Sequence, residues 1–203
     1  MAFLKFLISL VSIIDPIFAA ILVATIVTSA KEVKKIAFKS SLTVLIASIV
    51  TIIAGDTLLK LLGVNIYSIK IFGGLILLHM AFQMLQAHPP KTKHTDREES
   101  ATAEKDDISV IPIGIPILFG PGAFTALLIF KEEVHSLSGL FQLFLAVVIS
   151  VFVIYFFILN SAWFSRRLGK TGIGVTVRIF GLFVGALGSQ FIVDGIKHLW
   201  IQG

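Results

Sequence analysis

Two short stretches put chemistry into a chain that is otherwise strongly apolar. The first is "SIIDPIF", residues 12–18, in which Asp15 immediately precedes Pro16. The second is "IPIGIPILFGPGAF", residues 111–124, which holds Pro112, Pro116 and Pro121, with Gly120 and Gly122 on either side of the last proline. A proline removes one backbone N–H, and its ring clashes with the carbonyl four residues back. Pro16 therefore frees the Ser12 carbonyl, while Pro112, Pro116 and Pro121 free those of Ile108, Pro112 and Ile117. Gly120 and Gly122 permit backbone angles that other residues resist, which favours local unwinding over a simple kink. An unwound helix offers two different ends: the positive N-terminus of its second half suits a carboxylate, and the carbonyls of its first half suit an ammonium or a cation. A zwitterionic amino acid matches both. Asp15 adds a carboxylate that would contact substrate or carry a proton or cation. It is also a good N-cap for a half-helix beginning at Pro16.

The elements that must hold these residues are membrane spans. The chain has 203 residues, 56% hydrophobic and 14% charged, with a mean hydropathy of +0.97, against about 25% charged in soluble proteins. Apolar runs long enough to cross a ~30 Å hydrocarbon core recur at Phe3–Thr28, Ile36–Ile53, Ile66–Leu85, Ile108–Phe130, Leu140–Trp163 and Val175–Val193. A soluble core or a single signal peptide does not account for six of them. In hydrocarbon an unsatisfied backbone group costs several kcal/mol, so opened backbone is tolerated only where protein or a cavity satisfies it. A carboxylate at mid-span, as at Asp15, costs about 3 kcal/mol.

There is no cysteine, which excludes disulfides, thiol catalysis and thiolate metal sites. No His-Glu-Xaa-Xaa-His, Ser/His pair or Asp pair stands inside a span, and Asp15 and Asp194 fall in different segments. No enzyme activity, cofactor or metal is expected. "QAHPPKTKHTDREESATAEKDD" between the third and fourth runs reads as a solvated linker, its His88 and His94 included.

Loops on one side carry eleven Lys and Arg against four on the other, with Lys70 and Arg178 inside spans. The positive-inside rule then expects both termini outside the cytoplasm of a multi-pass inner-membrane protein. The loop "KEVKK" would sit against anionic headgroups. "LLGVNIYSIKIFGGLILL" and "RLGKTGIGVTVRIFGLFVGAL" share Leu-Gly and a basic residue followed by Ile-Phe-Gly, at Lys70–Gly73 and Arg178–Gly181. Pro16 lies 54 residues before Lys70, and Pro121 lies 57 before Arg178. Two halves of three spans each, an odd number, enter the membrane from opposite sides. The expected fold is therefore an all-α membrane protein with six transmembrane helices as two inverted three-helix repeats, helices one and four discontinuous. Residues 1–86 form the first repeat, 87–107 a charged cytoplasmic linker and 108–203 the second repeat.

Among the other polar residues, Lys70 and Arg178 are expected to snorkel to the interface. His79, at mid-span, is expected to bond between helices, with a proton or polar relay alongside Asp15 as the sharper reading. Gln83, Asn160 and Gln190 are expected to bond between helices, and Gly73 and Gly181 to allow close packing.

The "DP" of the first span, "GVNIYSIKIFGGLILLHMAFQML" of the third and "PIGIPILFGPGAF" of the fourth resemble the MarC family of bacterial and archaeal inner-membrane proteins. The resemblance runs through all six spans. It implies an inverted repeat, discontinuous first and fourth helices, and proton-linked uptake of small neutral amino acids such as glycine and alanine. The implied substrate site is Asp15 and Pro16 with Phe119, Gly120, Pro121, Gly122 and Ala123. One departure bears on cargo size: Phe18 and Ile21 stand where many relatives have glycine and proline, which implies a tighter break and a narrower cavity. The expected partners are a neutral amino acid and the lipid bilayer, with room for a homo-oligomer and none for nucleic acid. The rival readings are a non-transporting scaffold or regulatory protein, and an exporter or flippase of another cargo such as a drug or a lipid-linked intermediate.

Overall fold

A backbone surrounded by hydrocarbon has only itself to hydrogen-bond with, so helices are the expected currency of such a chain. In the computed structural model, which describes residues 2–27, 29–86, 113–114 and 118–202, the elements are α1 (Ala2–Ile14), α2 (Pro16–Ile26), α3 (Ala30–Leu61), α4 (Ile66–Leu85), α5 (Pro121–Glu132), α6 (Leu137–Leu159) and α7 (Ser161–Gln202). Five stretches among the described residues are long and apolar enough to cross a membrane: Ala2–Ile26, α3, α4, α6 and Thr171–Trp200 of α7. Of the run expected at Ile108–Phe130, the structure describes α5 and a few residues before it. Pro112, Pro116 and the linker at 87–107 lie outside the described residues.

Helix ends follow local chemistry. Asn65 caps α4 by accepting a hydrogen bond from the Tyr67 N–H at 2.9 Å, and Ser136 caps α6 by accepting from Gly139 N–H at 3.2 Å. The α3 helix runs well past the expected Ile36–Ile53 at both ends. Its charged outer turns continue the backbone ladder beyond the apolar stretch, so hydropathy marks the membrane portion while hydrogen bonding sets the helix limits. Within α7, Gly169 has φ 59° and ψ 179°, backbone that only glycine adopts without strain, and it divides a short leading stretch from the long span.

The first run lies at the centre of the bundle. Ala2–Ile26 is 67% buried, against 28–33% for the other four candidate spans. Phe6, Leu10, Ile13 and Ile14 fill one face of α1, and Ala19, Ala20 and Val23 are fully enclosed on α2. Around this core, α1 packs on α6, α2 on α6 and α7, α3 on α6, and α5 on α3 and α4. The α4 and α7 helices run antiparallel in close contact. Gly195 approaches Tyr67 and Ile71, Gly188 approaches Gly74 and Leu77, and Gly181 approaches Met84 and Ala81. Small residues permit this where lipid supplies no hydrophobic drive between helices. The outward faces carry Phe38, Ile46, Ile53, Phe72, Phe82, Phe152 and Leu182, all exposed, far more apolar surface than a soluble monomer shows.

The two ends of the bundle differ. At one end Lys5 pairs with Glu133 at 2.6 Å and Lys131 with Asp56 at 3.0 Å. At this end Phe130, fully buried, packs between Phe6, tilted at 41°, and Phe191, edge-on at 76°, at centroid distances of 5.0 and 6.0 Å. The other end, where α2 meets α3 and α6 meets α7, opens into a cavity of about 720 Å³.

Candidate binding site at two helix breaks

The α1 helix stops at Ile14 because Pro16 cannot supply the next N–H. Asp15 takes φ 47° and ψ 70°, the left-handed region, and is the one non-glycine residue with positive φ among those described. Such backbone costs about 1 kcal/mol or more for an L-residue, with Asp and Asn the least resistant. The cost is offset locally. Asp15 Oδ1 accepts a hydrogen bond from the Phe18 N–H at 3.1 Å, its carbonyl accepts from Ala19 N–H at 3.2 Å, and α2 begins at Pro16 in the first helical position. The carboxylate is thus an N-cap at the middle of the buried central run, and the residue is only 8% exposed.

The second break has the same grammar. Phe119 N–H donates to the Gly114 carbonyl at 2.9 Å, five residues back, a wider turn than an α-helix makes. Gly120 is extended at φ −88° and ψ −178°, and α5 starts at Pro121. A side chain at Gly122 would meet Leu77 at 2.9 Å, Met80 at 3.0 Å and Ile13 at 3.4 Å, so a glycine lets α5 lie against both α4 and α1.

The two breaks adjoin. Ile13 borders Gly122, while Ile14 shares a small void with Phe119 and Ala123. That void measures about 10 Å³, the space of roughly one water. Ser48 of α3 and Ser150 of α6 also line it. Ser12, one turn before Asp15, has a buried hydroxyl with no hydrogen-bond partner, as does Ser41 of α3. Asp15 and Pro16, next to Ile14, therefore lie buried close to Phe119, Gly122 and Ala123, whereas Gly120 is half-buried and Pro121, at the start of α5, is exposed.

Ser12, Ser48 and Ser150 are additions that motif reading passed over. For Ser48 a signal lies in the spacing of Ser41, Val44, Ser48 and Thr51, which places three hydroxyls on one buried stripe of α3; Ser12 and Ser150 have no such pattern.

His79 is elsewhere. It is exposed on α4, and its Nε2 lies 2.7 Å from Gln83 Nε2 on the same helix. Gln190 likewise donates to Asp194 at 2.9 Å and Asn160 to the Phe156 carbonyl at 2.8 Å. These bonds expected between helices run along single helices instead, because residues four apart are already within reach of one another. Lys70 also departs from expectation. It is 8% exposed and sits 5.9 Å from the Tyr67 ring centroid, so its charge is sheltered by an aromatic face. Arg178 is exposed. Gly73 and Gly181 are packing positions: a side chain at Gly73 would overlap Thr125 of α5, and one at Gly181 would meet Met84 at 2.9 Å.

Helices with lipid-ready outer faces, enclosing two adjoining backbone breaks, define a multi-pass α-helical integral membrane protein. The chain belongs to the MarC family of integral membrane proteins, whose profile matches residues 1–200. A UPF0056 membrane protein of Aquifex aeolicus is 33% identical, covering 97% of this chain and 93% of its own. The UPF0056 membrane protein YhcE of Escherichia coli is 32% identical, covering 98% and 93%. An archaeal relative, MJ1677 of Methanocaldococcus jannaschii, is 30% identical over 93% of each chain. No solved structure matches the chain at a significant level.

Proposed function

We propose that the chain is a secondary transporter of small neutral amino acids such as glycine and alanine, proton-linked, with its substrate site where the breaks of helices one and four adjoin. The reading places it in the inner membrane with both termini outside the cytoplasm, and involves no catalytic step. It rests on one observation above all: helices start at Pro16, after the buried left-handed Asp15, and at Pro121, after the extended Gly120, and residues flanking the two starts adjoin inside an apolar bundle. The positive end of α5 and the Asp15 carboxylate offer complementary contacts for a zwitterion. The unpartnered Ser12 hydroxyl is the kind of buried donor that a cargo would satisfy. The void of about 10 Å³ beside Phe119 would have to widen to take even glycine, which favours the smallest cargoes. Asp15 is the one carboxylate at the breaks and the natural proton carrier of this reading.

The arrangement of helix pairs supports two inverted three-span repeats. Exchanging α2 with α5, α3 with α6, and α4 with α7 turns the α2–α6 contact into α5–α3, and α2–α7 into α5–α4. The α3–α6 and α4–α7 pairs map onto themselves, and α4 and α7 are antiparallel as inversion requires.

The test is uptake of labelled glycine and alanine into proteoliposomes, with and without an imposed proton gradient. Gradient-dependent accumulation, lost in Asp15→Asn, is the expected result. If neither amino acid accumulates and Asp15→Asn leaves every phenotype unchanged, the amino-acid reading falls and a scaffold with structural kinks takes its place.

A further inference from the structure

The cavity at the end of the bundle opposite the ion pairs is separate from the helix breaks, and its lining has a chemistry of its own. It is a half-open cleft of about 720 Å³ between the α2–α3 and α6–α7 junctions, within the range of small-molecule sites. Lys34, Arg166 and Arg167 line it together with Asn160, and no acidic residue is among the described residues that do. Glu32, on the same turn of α3, is exposed and outside the lining. Converging three cations costs energy unless an anion neutralises them. The N-terminus of α3 opens at Ala30 into the same space, and its N-cap Ser29 makes no side-chain hydrogen bond to it, so the positive helix end adds to the field.

The three cationic side chains are exposed, and two features fix the backbone that carries Arg166 and Arg167. The stretch carrying Trp163, Arg166 and Arg167 is pinned to α6 by Phe164, which stacks on Phe157 at 4.3 Å, while Trp163 meets Phe164 edge-on at 4.9 Å. Gly169, in its left-handed turn, then ends this stretch before the long span begins. The remaining wall is apolar: Val27, Val33 and Leu159 continue from the bundle, and Trp163 is 58% exposed at its rim, the position of an interfacial tryptophan.

We propose that this cavity is a binding site for a phosphate-bearing ligand, the phosphate held by Lys34, Arg166, Arg167 and the α3 N-terminus. Two sources share that chemistry: the headgroup of an anionic phospholipid, whose chains would lie along the apolar wall, and a small soluble phosphate ester. Basic pockets between helices at a membrane face take such headgroups.

The experiment titrates the purified full-length protein in a neutral detergent with glycerol 3-phosphate, with phosphatidylglycerol and with phosphatidylcholine, following the thermal unfolding midpoint and native mass. A Lys34→Gln/Arg166→Gln/Arg167→Gln variant is compared with wild type and with Lys60→Gln/Lys197→Gln, which removes charge away from the cavity. The expected result is a raised midpoint and a bound mass with phosphatidylglycerol but not phosphatidylcholine, with affinity about tenfold or more weaker in the triple variant and unchanged in the control. If glycerol 3-phosphate alone reproduces the shift, and the triple variant abolishes it, the site is one for a soluble ester. Should the triple variant fail to fold, Arg167→Gln alone is expected to weaken binding severalfold. Equal response to both lipids with none to glycerol 3-phosphate, or undiminished binding in the cavity variants, would overturn the proposal.

Discussion

Lys131 Nζ lies 3.0 Å from Asp56 Oδ2, tying the last turn of α5 to the last turns of α3 at the end of the bundle away from the basic cavity. At the same end Lys5, paired with Glu133, lies 5.8 Å from the Phe130 ring centroid, and on the proposed transport reading the two pairs and the Phe6, Phe130 and Phe191 cluster would close the route from that end. The Lys131 and Asp56 side chains are partly exposed, at 23% and 40%, so their pair contributes at most about 1 kcal/mol of stability. Lys131→Met should therefore change the unfolding midpoint little. It should, however, speed thiol labelling of an Ala126→Cys reporter, now fully buried, in a chain that has no other cysteine. Exchanging the charges, Lys131→Asp with Asp56→Lys, should restore slow labelling. Equal labelling rates in all three proteins would refute a closing role.

Asp15 combines a cap with a charge, and two substitutions separate them. Asn tolerates left-handed backbone and caps as well as Asp, so Asp15→Asn should keep wild-type stability while losing proton-dependent uptake. Asp15→Ala loses the bond to Phe18 N–H and leaves a residue poorly suited to φ 47°. It should cost about 1–2 kcal/mol in thermal unfolding. Stability loss in Asp15→Asn as large as in Asp15→Ala would mean the charge itself is structural.

The buried Ser12 hydroxyl has no hydrogen-bond partner among the described residues. Ser12→Ala should leave stability unchanged or raise it by up to about 1 kcal/mol, since a buried unpaired donor carries a desolvation penalty. The same change should weaken uptake, read as a higher half-saturation concentration. A destabilised variant with normal uptake would contradict both halves.

Phe119 bounds the void at the breaks. Phe119→Ala should admit larger neutral amino acids such as valine, and Ala123→Leu, at a position 1% exposed, should overfill the void and cost about 1–3 kcal/mol along with uptake. Competition assays against labelled alanine would show either effect. Unchanged selectivity in Phe119→Ala would move the site away from the void.

Gly74 and Gly188 face each other across the α4–α7 contact, where a side chain on Gly74 would come within 2.5 Å of the Gly188 carbonyl. Gly74→Ala should destabilise by about 1–3 kcal/mol because backbone must shift. Gly174→Ala, with nothing within 4 Å, should be neutral or stabilising by up to about 1 kcal/mol. Thermal unfolding in one detergent compares the two directly.

Hydropathy alone specified a helical membrane protein, because a 20-residue apolar run has no other way to satisfy its backbone in lipid. The helix starts at Pro16 and Pro121 were equally legible, since a missing N–H and a fixed φ suit proline to the first helical position. What the linear order could not carry was distance between segments. That Ile14 and Phe119 share a void, that Ser12, Ser48 and Ser150 point hydroxyls into the interior, and that Lys34 meets Arg166 and Arg167 around one cavity depends on how helices pack. The polar pairings went astray for the same reason. His79, Gln83 and Gln190 were expected to bond between helices, yet His79 lies against Gln83 and Gln190 against Asp194, each one turn away on its own helix. Local geometry is written in residue types a few positions apart, whereas the choice of which faces turn inward is made by all the helices at once.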